Sequence, residues 1–332
     1  MIKVNKSPVT MIAGTGSYVP NHFLSNYDLE KIVDTSDEWI KSRTGINYRA
    51  IVENGTITSD LCKEASLEAL EEAKISPKDL DLIIVGTVTG DVKFPATACY
   101  VQKKIGALNA AAFDLNAACS GFLYGITIAD HIMGNSKYNN ILVIGGDILS
   151  SITNWKDKNT CVLFGDGAGA CVLKRSDGKK GVLGTYIKSD GNLSELLTMP
   201  GGGTKYPTKE SLPDQKYNYI NMEGREVFKH AIINMIDAAN IILKGVNLSI
   251  SDVDILIPHQ ANMRIIESVA KKINIPLERV FINLDKYGNT SSGSIPIALN
   301  EARKQGRIKE GDICLMVVFG GGFTWGSVVV KF

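Results

Sequence analysis

Cys119 lies where the apolar run AAFDLNAA gives way to SGFLYGITIADHIMG, so its thiol is predicted at the N-terminus of a helix. Unpaired backbone N–H groups and the helix dipole favour a thiolate there, and Ser120 and Gly121 permit a tight turn that a substrate can approach closely. Such a cysteine can act as a nucleophile. Its other reading is a small core residue, which is the one kept for Cys62, Cys99, Cys161, Cys171 and Cys314 inside helix or strand patterns. His259 follows the strand-like VDILIP within PHQAN, a strand end that points into the crevice where open α/β sheets place ligands. A structural histidine with satisfied hydrogen bonds is the alternative, and His22, His131 and His230 lack such a setting. Asn289 stands in YGNTSSGSIP, which also reads as a Gly-rich turn with a Ser/Thr helix cap. Brought together, a cysteine nucleophile and two side chains donating to a developing oxyanion would form a site for acyl chemistry. No HxxxH spacing or acidic cluster accompanies the histidines, so no metal site is expected.

The elements that must position these residues alternate between short β-branched runs and longer helical periodicity, the pattern of a layered α/β protein. Strands are expected over Leu82–Val88, Ala111–Asn116, Asn140–Gly145, Ala168–Lys174, Val253–Ile257, Cys314–Phe319 and Ser327–Phe332. Helices are expected over Leu61–Ala73, Gly121–Met133, Glu226–Leu243 and Asn262–Lys272. An internal repeat constrains the architecture further. SPKDLDLIIVG, with Asp79 and Asp81, is matched 173 residues later by SISDVDILIP, with Asp252 and Asp254. CSGF at Cys119–Phe122 is matched 172 residues later by SSGS at Ser291–Ser294, and FGDGAGACVLK and FGGGFTWGSVVVKF close the two copies. The halves would span 1–175 and 176–332, and a pseudo-twofold relation would bring both helix starts, with Cys119 and Asn289, to one cavity. Between the copies, Gly191–Gly224 is longer than the ~12 to 15 residues of an ordinary structureless connection, so it is expected to serve a site or to move.

Length and composition bound the class. A chain of 332 residues exceeds one modest core, and 44% hydrophobic with 21% charged residues excludes wholesale disorder. Thirty-six basic against 35 acidic side chains leave a charge of +1, with no global field to steer the protein onto nucleic acid or anionic lipid. No export signal or apolar stretch of bilayer length is read, and six cysteines without CxxC spacing suggest reduced thiols in a cytoplasmic protein.

With TSDEWIKSRTGI, AACSGF, FGDGAGA, PHQANMRII, YGNTSSGSIP and FGGGFTWG in this order, nearly the whole chain resembles the β-ketoacyl-acyl carrier protein synthases III of the thiolase-like condensing enzymes. The resemblance implies a thiolase-like five-layered α-β-α-β-α fold of two duplicated halves, a homodimer, and an acyltransferase that needs no cofactor. Cys119 would take an acyl group from an acyl-coenzyme A, with the backbone N–H groups of Cys119 and Gly321 holding the oxyanion. Malonyl-acyl carrier protein would then lose carbon dioxide, and His259 with Asn289 would stabilise the enolate that attacks the acyl group. A neutral histidine donating from Nε2 suits that role in an apolar cavity.

The resemblance also implies that Phe319 packs beside the nucleophile and that Phe94 crosses a dimer interface to bound the acyl pocket. Trp39 would face the adenine of coenzyme A and Arg43 its phosphates. Lys158 stands where the family has an arginine on the other side of the adenine and cannot stack in the same planar way; Trp155 is near enough in sequence to substitute. Lys229 and Arg264, with Arg225 added in this chain, would form a basic rim for the acidic carrier protein. A starter-unit enzyme of polyketide or other specialised metabolism is the alternative on the same fold. A cysteine hydrolase and a non-catalytic carrier-binding scaffold are alternatives of other classes. The primer's length and branching stay open, because one methylene changes discrimination by only ~1 to 3 kcal/mol.

Overall fold

In a computed structural model that describes residues 1–207 and 214–332, two five-stranded sheets lie in layers with helices outside and between them. The first sheet runs β2 (Thr10–Tyr18), β8 (Asp166–Arg175), β7 (Asn140–Ile148), β5 (Leu82–Gly86) and β6 (Ala111–Leu115). The second runs β1 (Ile2–Val4), β9 (Gly181–Ser189), β14 (Thr324–Lys331), β13 (Ile313–Gly320) and β12 (Ile255–Pro258). Two small antiparallel pairs, β3 (His22–Ser25) with β4 (Tyr48–Ile51) and β10 (Leu197–Thr198) with β11 (Asn221–Met222), stand apart.

Period-two alternation explains the layering. In β13, Cys314, Met316 and Val318 face one core while Leu315, Val317 and Phe319 face another. In β5, Leu82 and Ile84 face inward while Ile83 and Val85 face outward. Between the sheets lie α5 (Gly121–Asn135) and α9 (Ser294–Lys304), whose Phe122, Ile126, Ile295 and Leu299 join the inward core. Outside the first sheet pack α3 (Thr58–Ala73) and α4 (Thr97–Ile105), and outside the second α6 (Gly224–Gly245) and α7 (Met263–Ile273). The remaining helices are α1 (Asn26–Glu30), α2 (Asp37–Thr44) and α8 (Leu284–Tyr287). This is the five-layered thiolase-like arrangement. Among the described residues no helix is long and apolar enough to cross a membrane.

The duplication is visible atom by atom at a spacing of 173 residues. Lys74 and Asn247 both take left-handed backbone. Ser76 with Asp79 and Ser249 with Asp252 form matching capping boxes. The Asp81 carboxylate accepts from the Asn140 N–H at 3.0 Å, and Asp254 from the Ile313 N–H at 2.8 Å. The tight turns Ala118–Ser120 and Ser291–Gly293 enter α5 and α9. At this register the counterpart of Gly121 is Ser294, so the 172-residue spacing read from CSGF and SSGS is one residue short.

Two buried strands have no counterpart among the strands expected from the sequence. In β2, TMIAGTGSY looks like a loop because of its glycines, yet those glycines admit α3. A Cβ at Gly14 would lie 2.3 Å from the Ala69 carbonyl oxygen, and one at Gly16 would lie 2.2 Å from that of Ala65. The other is β9, which lies between β1 and β14. The helix α9 also escapes the pattern. Its opening Ser-Ile-Pro suggests a break, but proline is tolerated in a first turn, where its N–H has no intrahelical acceptor. The long Gly191–Gly224 segment contributes β10 and β11, and Leu197, Met199, Ile220 and Met222 reach the cavity described below. Its residues 208–213 lie outside the described residues.

Candidate active site

A cavity of about 240 Å³ opens where the two copies meet, and Cys119, His259 and Asn289 all line it. Its walls are mostly apolar, with Leu149, Ile152, Leu197, Met222, Val227 and Met235 among them, while Ser291, Phe319 and Gly321 join the three candidates.

Cys119 sits in the turn Ala118–Ser120 immediately before α5. Ala118 holds φ at 47°, a left-handed conformation rare outside glycine. The turn is braced from the second sheet by Thr324, whose hydroxyl donates to the Ala117 carbonyl at 2.9 Å. Gly320 lets β13 approach it: a Cβ there would lie 2.8 Å from the Cys119 nitrogen and 3.1 Å from that of Ser120. Gly320→Ala should therefore push the nucleophile's turn aside and slow acylation by about a hundredfold, the cost of roughly ångström misplacement. Time-resolved intact-mass measurement checks this, with the melting temperature as a control for folding.

The expected thiolate is corrected by the structure. Cys119 keeps partial exposure because it lines the cavity, but its setting is deep enough that burial pushes the thiol up to about 11 against the help of a Ser291 hydrogen bond. A helix N-terminus supplies only about 0.3–1 kcal/mol, up to ~2 when partly buried, whereas a shift from 9.0 to about 11 corresponds to about 3 kcal/mol. Desolvation wins, and the resting group is a thiol.

His259 follows β12 directly, its backbone N–H bonded to the Val317 carbonyl at 2.9 Å. It is 4% exposed, and burial lowers its imidazolium pKa to about 4, so the ring is neutral at pH 7 as expected. The depression also sets a pH dependence. The unfolded chain binds a proton below pH 6.5 that the folded chain refuses until about pH 4. Stability is consequently lost as pH falls through that window, by about 3 kcal/mol at its foot. Urea titrations of wild type and His259→Gln at pH 7 and pH 4 should differ in pH slope by this amount; parallel slopes would show that His259 does not resist protonation.

Asn289 is fixed at both backbone ends, with its N–H donating to Leu163 at 2.8 Å and its carbonyl accepting from Gly165 at 3.0 Å. Its Oδ1 accepts from the Ser291 N–H at 2.9 Å. That bond leaves the amide nitrogen as the donor toward the cavity.

The other sequence-derived candidates fall into three groups. Phe319 and Gly321 line the cavity. Arg225, Lys229 and Arg264 are exposed on the first two turns of α6 and the first turn of α7, interleaved with the cavity-lining Gly224, Val227, Phe228, Asn262 and Ile265. Trp39 and Arg43 are exposed on α2 outside the cavity lining. That helix abuts the start of α7 through a 3.0 Å bond from Asn262 Nδ2 to the Arg43 carbonyl. Lys158 points to the loop before α2, its Nζ 3.4 Å from the Asp34 carbonyl oxygen. The Trp155 indole N–H donates to the Ser150 carbonyl at 3.3 Å, and its half-buried ring packs against the cluster that holds Ile40 and Cys161. Phe94 is 85% exposed and contributes nothing to the cavity of its own chain.

Three polar residues beside the site escaped the sequence reading. Ser291 lines the cavity with Cys119, holds the thiol's pKa down against burial, and has φ 50°. Ser294 meets His259 Nδ1 at 2.6 Å. Asp147, buried at the end of β7, accepts from the Thr87 hydroxyl at 2.9 Å, the Val88 N–H at 2.8 Å and the Ser292 hydroxyl at 2.8 Å, tying the Asn289 loop to the first sheet. A carboxylate inside the apolar run NILVIGGDI was the available signal.

Residues 113–191 match the family profile described as 3-oxoacyl-[acyl-carrier-protein (ACP)] synthase III, and residues 243–332 match the profile of its C-terminal part. A β-ketoacyl-[acyl-carrier-protein] synthase III of Caldanaerobacter subterraneus subsp. tengcongensis is 54% identical over 320 residues, covering 96% of this chain and 97% of the relative. The chain belongs to the β-ketoacyl-[acyl-carrier-protein] synthase III family. The crystal structure of the synthase III from Aquifex aeolicus VF5 superposes with a TM-score of 0.90 at 48% identity, covering 97% of this chain and 100% of that one. The priming β-ketosynthase of the R1128 polyketide pathway shares the fold with a TM-score of 0.91, but at 30% identity over 99% of this chain and 98% of its own. A synthase III is a condensing acyltransferase, and this one serves the initiating condensation of fatty-acid synthesis.

Proposed function

We propose that the chain joins the acyl group of an acyl-coenzyme A to malonyl-acyl carrier protein through an acyl-Cys119 intermediate. The Cys119 sulfur attacks the thioester carbonyl and expels coenzyme A as the thiol, which carries off the proton of Cys119. Backbone N–H groups of Cys119 and Gly321 hold the transient oxyanion. Malonyl-acyl carrier protein then loses carbon dioxide, the electron pair of the broken C–C bond forming a thioester enolate. The enolate oxygen accepts from His259 and Asn289 while its carbon attacks the acyl group. Cys119 leaves as the thiolate and takes a proton from solvent, and 3-oxoacyl-acyl carrier protein departs. The observation that carries this reading is the convergence of one thiol and two neutral donors on a single apolar chamber.

In this reading no cofactor is needed, because the thioesters are already activated and decarboxylation supplies the carbanion. Trp39, Arg43 and Lys158 hold coenzyme A at the outer end, Phe319 borders the acyl group, and Lys229, Arg264 and Arg225 face the acidic carrier protein. The protein works as a cytoplasmic homodimer in which the exposed Phe94 completes the partner's acyl pocket. Residues 1–175 and 176–332 are its two copies, a division supported by the shared strand order β2-β8-β7-β5 and β9-β14-β13-β12, with β1 of the first copy added to the edge of the second sheet.

The test is a reconstituted reaction with purified protein, a panel of acyl-coenzyme A donors and either malonyl-acyl carrier protein or malonyl-coenzyme A. A 3-oxoacyl-carrier product with the carrier thioester preferred is expected. Preference for malonyl-coenzyme A would favour specialised metabolism, and release of free acid without C–C bond formation would favour a hydrolase.

A further inference from the structure

Ser294 opens α9 and is 2% exposed, with its hydroxyl 2.6 Å from Nδ1 of the buried His259. We propose that Ser294 is a positioning residue that donates to His259 Nδ1 and so holds the ring in the tautomer protonated on Nε2. The inference rests on the reading of His259 as the donor to the enolate oxygen.

The direction of the bond follows from what each atom lacks. The Ser294 oxygen already faces the Gln260 N–H, at 3.5 Å, and among the described residues its hydroxyl has no acceptor other than His259. Were Nδ1 the donor, the serine proton would be buried without a partner, which costs about 1–3 kcal/mol. Nε2 would then be a lone pair facing an anionic oxygen. With serine donating, both groups are satisfied and Nε2–H is the donor. The surrounding loop is too constrained to offer an alternative: the Gln260 amide donates to the Pro258 carbonyl at 2.7 Å and the Phe281 carbonyl at 3.1 Å, while its oxygen accepts from the Asn283 N–H at 3.0 Å.

The duplication separates this role from mere packing. At the 173-residue spacing, the counterparts of His259 and Ser294 are Gly86 and Gly121. Those two glycines touch through their backbones, a Cβ on Gly86 falling 2.7 Å from the carbonyl carbon of Gly121. The same strand end and helix start therefore fit together with no side chains at all. The imidazole and hydroxyl appear as a pair in the copy that supplies the donor.

The experiment combines half-reactions with nitrogen-15 spectra of the imidazoles, His259 being assigned by its loss in His259→Gln. Wild type is expected to show His259 protonated on Nε2. Ser294→Ala should acylate Cys119 at the wild-type rate, condense about ten- to hundredfold more slowly, and show mixed tautomers; Ser294→Thr should restore both. A wild-type ring protonated on Nδ1 would overturn the proposal whether or not any variant folds. So would Ser294→Ala that condenses normally. If His259→Ala condenses normally, the enolate role itself is wrong; if it fails while Ser294→Ala does not, only the positioning role is.

Discussion

Cys119→Ser is expected to gain no mass from a short acyl-coenzyme A under conditions where the unaltered chain gains one acyl group. Overall condensation should fall by about 10⁴-fold or more, the scale seen when a covalent nucleophile is removed. Serine nearly matches cysteine in size, so the melting temperature should hold. The competing thiols argue for specificity: Cys62, Cys161, Cys171 and Cys314 are buried in cores and the half-buried Cys99 lies outside the cavity lining, while burial drives the pKa of Cys62, Cys171 and Cys314 far upward. The Cys119 thiol, although also raised, stands at a cavity of substrate size. An adduct that survives in Cys119→Ser would place the nucleophile elsewhere and end the acyl-Cys119 mechanism.

The second large effect separates the two stages. His259→Ala and Asn289→Ala should each retain acylation and lose about 10²–10³-fold in condensation, the cost of one missing oxyanion donor. The double variant should lose less than the product of the single effects, because both donors serve one oxygen. A hydrolytic reading predicts a different pattern. There the histidine must take the thiol's proton, and its removal would cripple acylation first. Stopped reactions resolved by intact mass report acyl-enzyme and product separately. His259→Gln and Asn289→Asp, closer in volume, guard against mistaking a collapsed cavity for a missing donor.

Much of this site was legible because its residues sit where chain patterns change. Cys119 marks a strand giving way to a helix, His259 comes directly after β12, and both duplicated Asp-rich starts are plain in the letters. Fold legibility failed where close packing uses residues that look like loop formers. Gly14 and Gly16 belong to a strand because Ala65 and Ala69 of α3 press on it, a tertiary reason absent from local composition. Charge state failed for a similar reason. The helix start above Cys119 can be read locally, but the desolvation that outweighs it comes from the whole chamber. Ser291, Ser294 and Asp147 stayed hidden because hydroxyls and a strand-end carboxylate acquire meaning only from what they touch across sheets.

The sister positions have one more consequence. Asp147 ends the first sheet by gripping the turn at Ser292, whereas its counterpart, Gly320, ends the second sheet with no side chain beneath the turn at Cys119. One copy thus pins its partner's elbow with a carboxylate, and the other holds it only from the side, through the Thr324 hydroxyl. An ancestral half that associated with its own twin would have had two seals or two openings, never one of each. The two elbows are therefore no longer interchangeable: Cys119 opens onto the chamber, and its counterpart Ser292 does not line it.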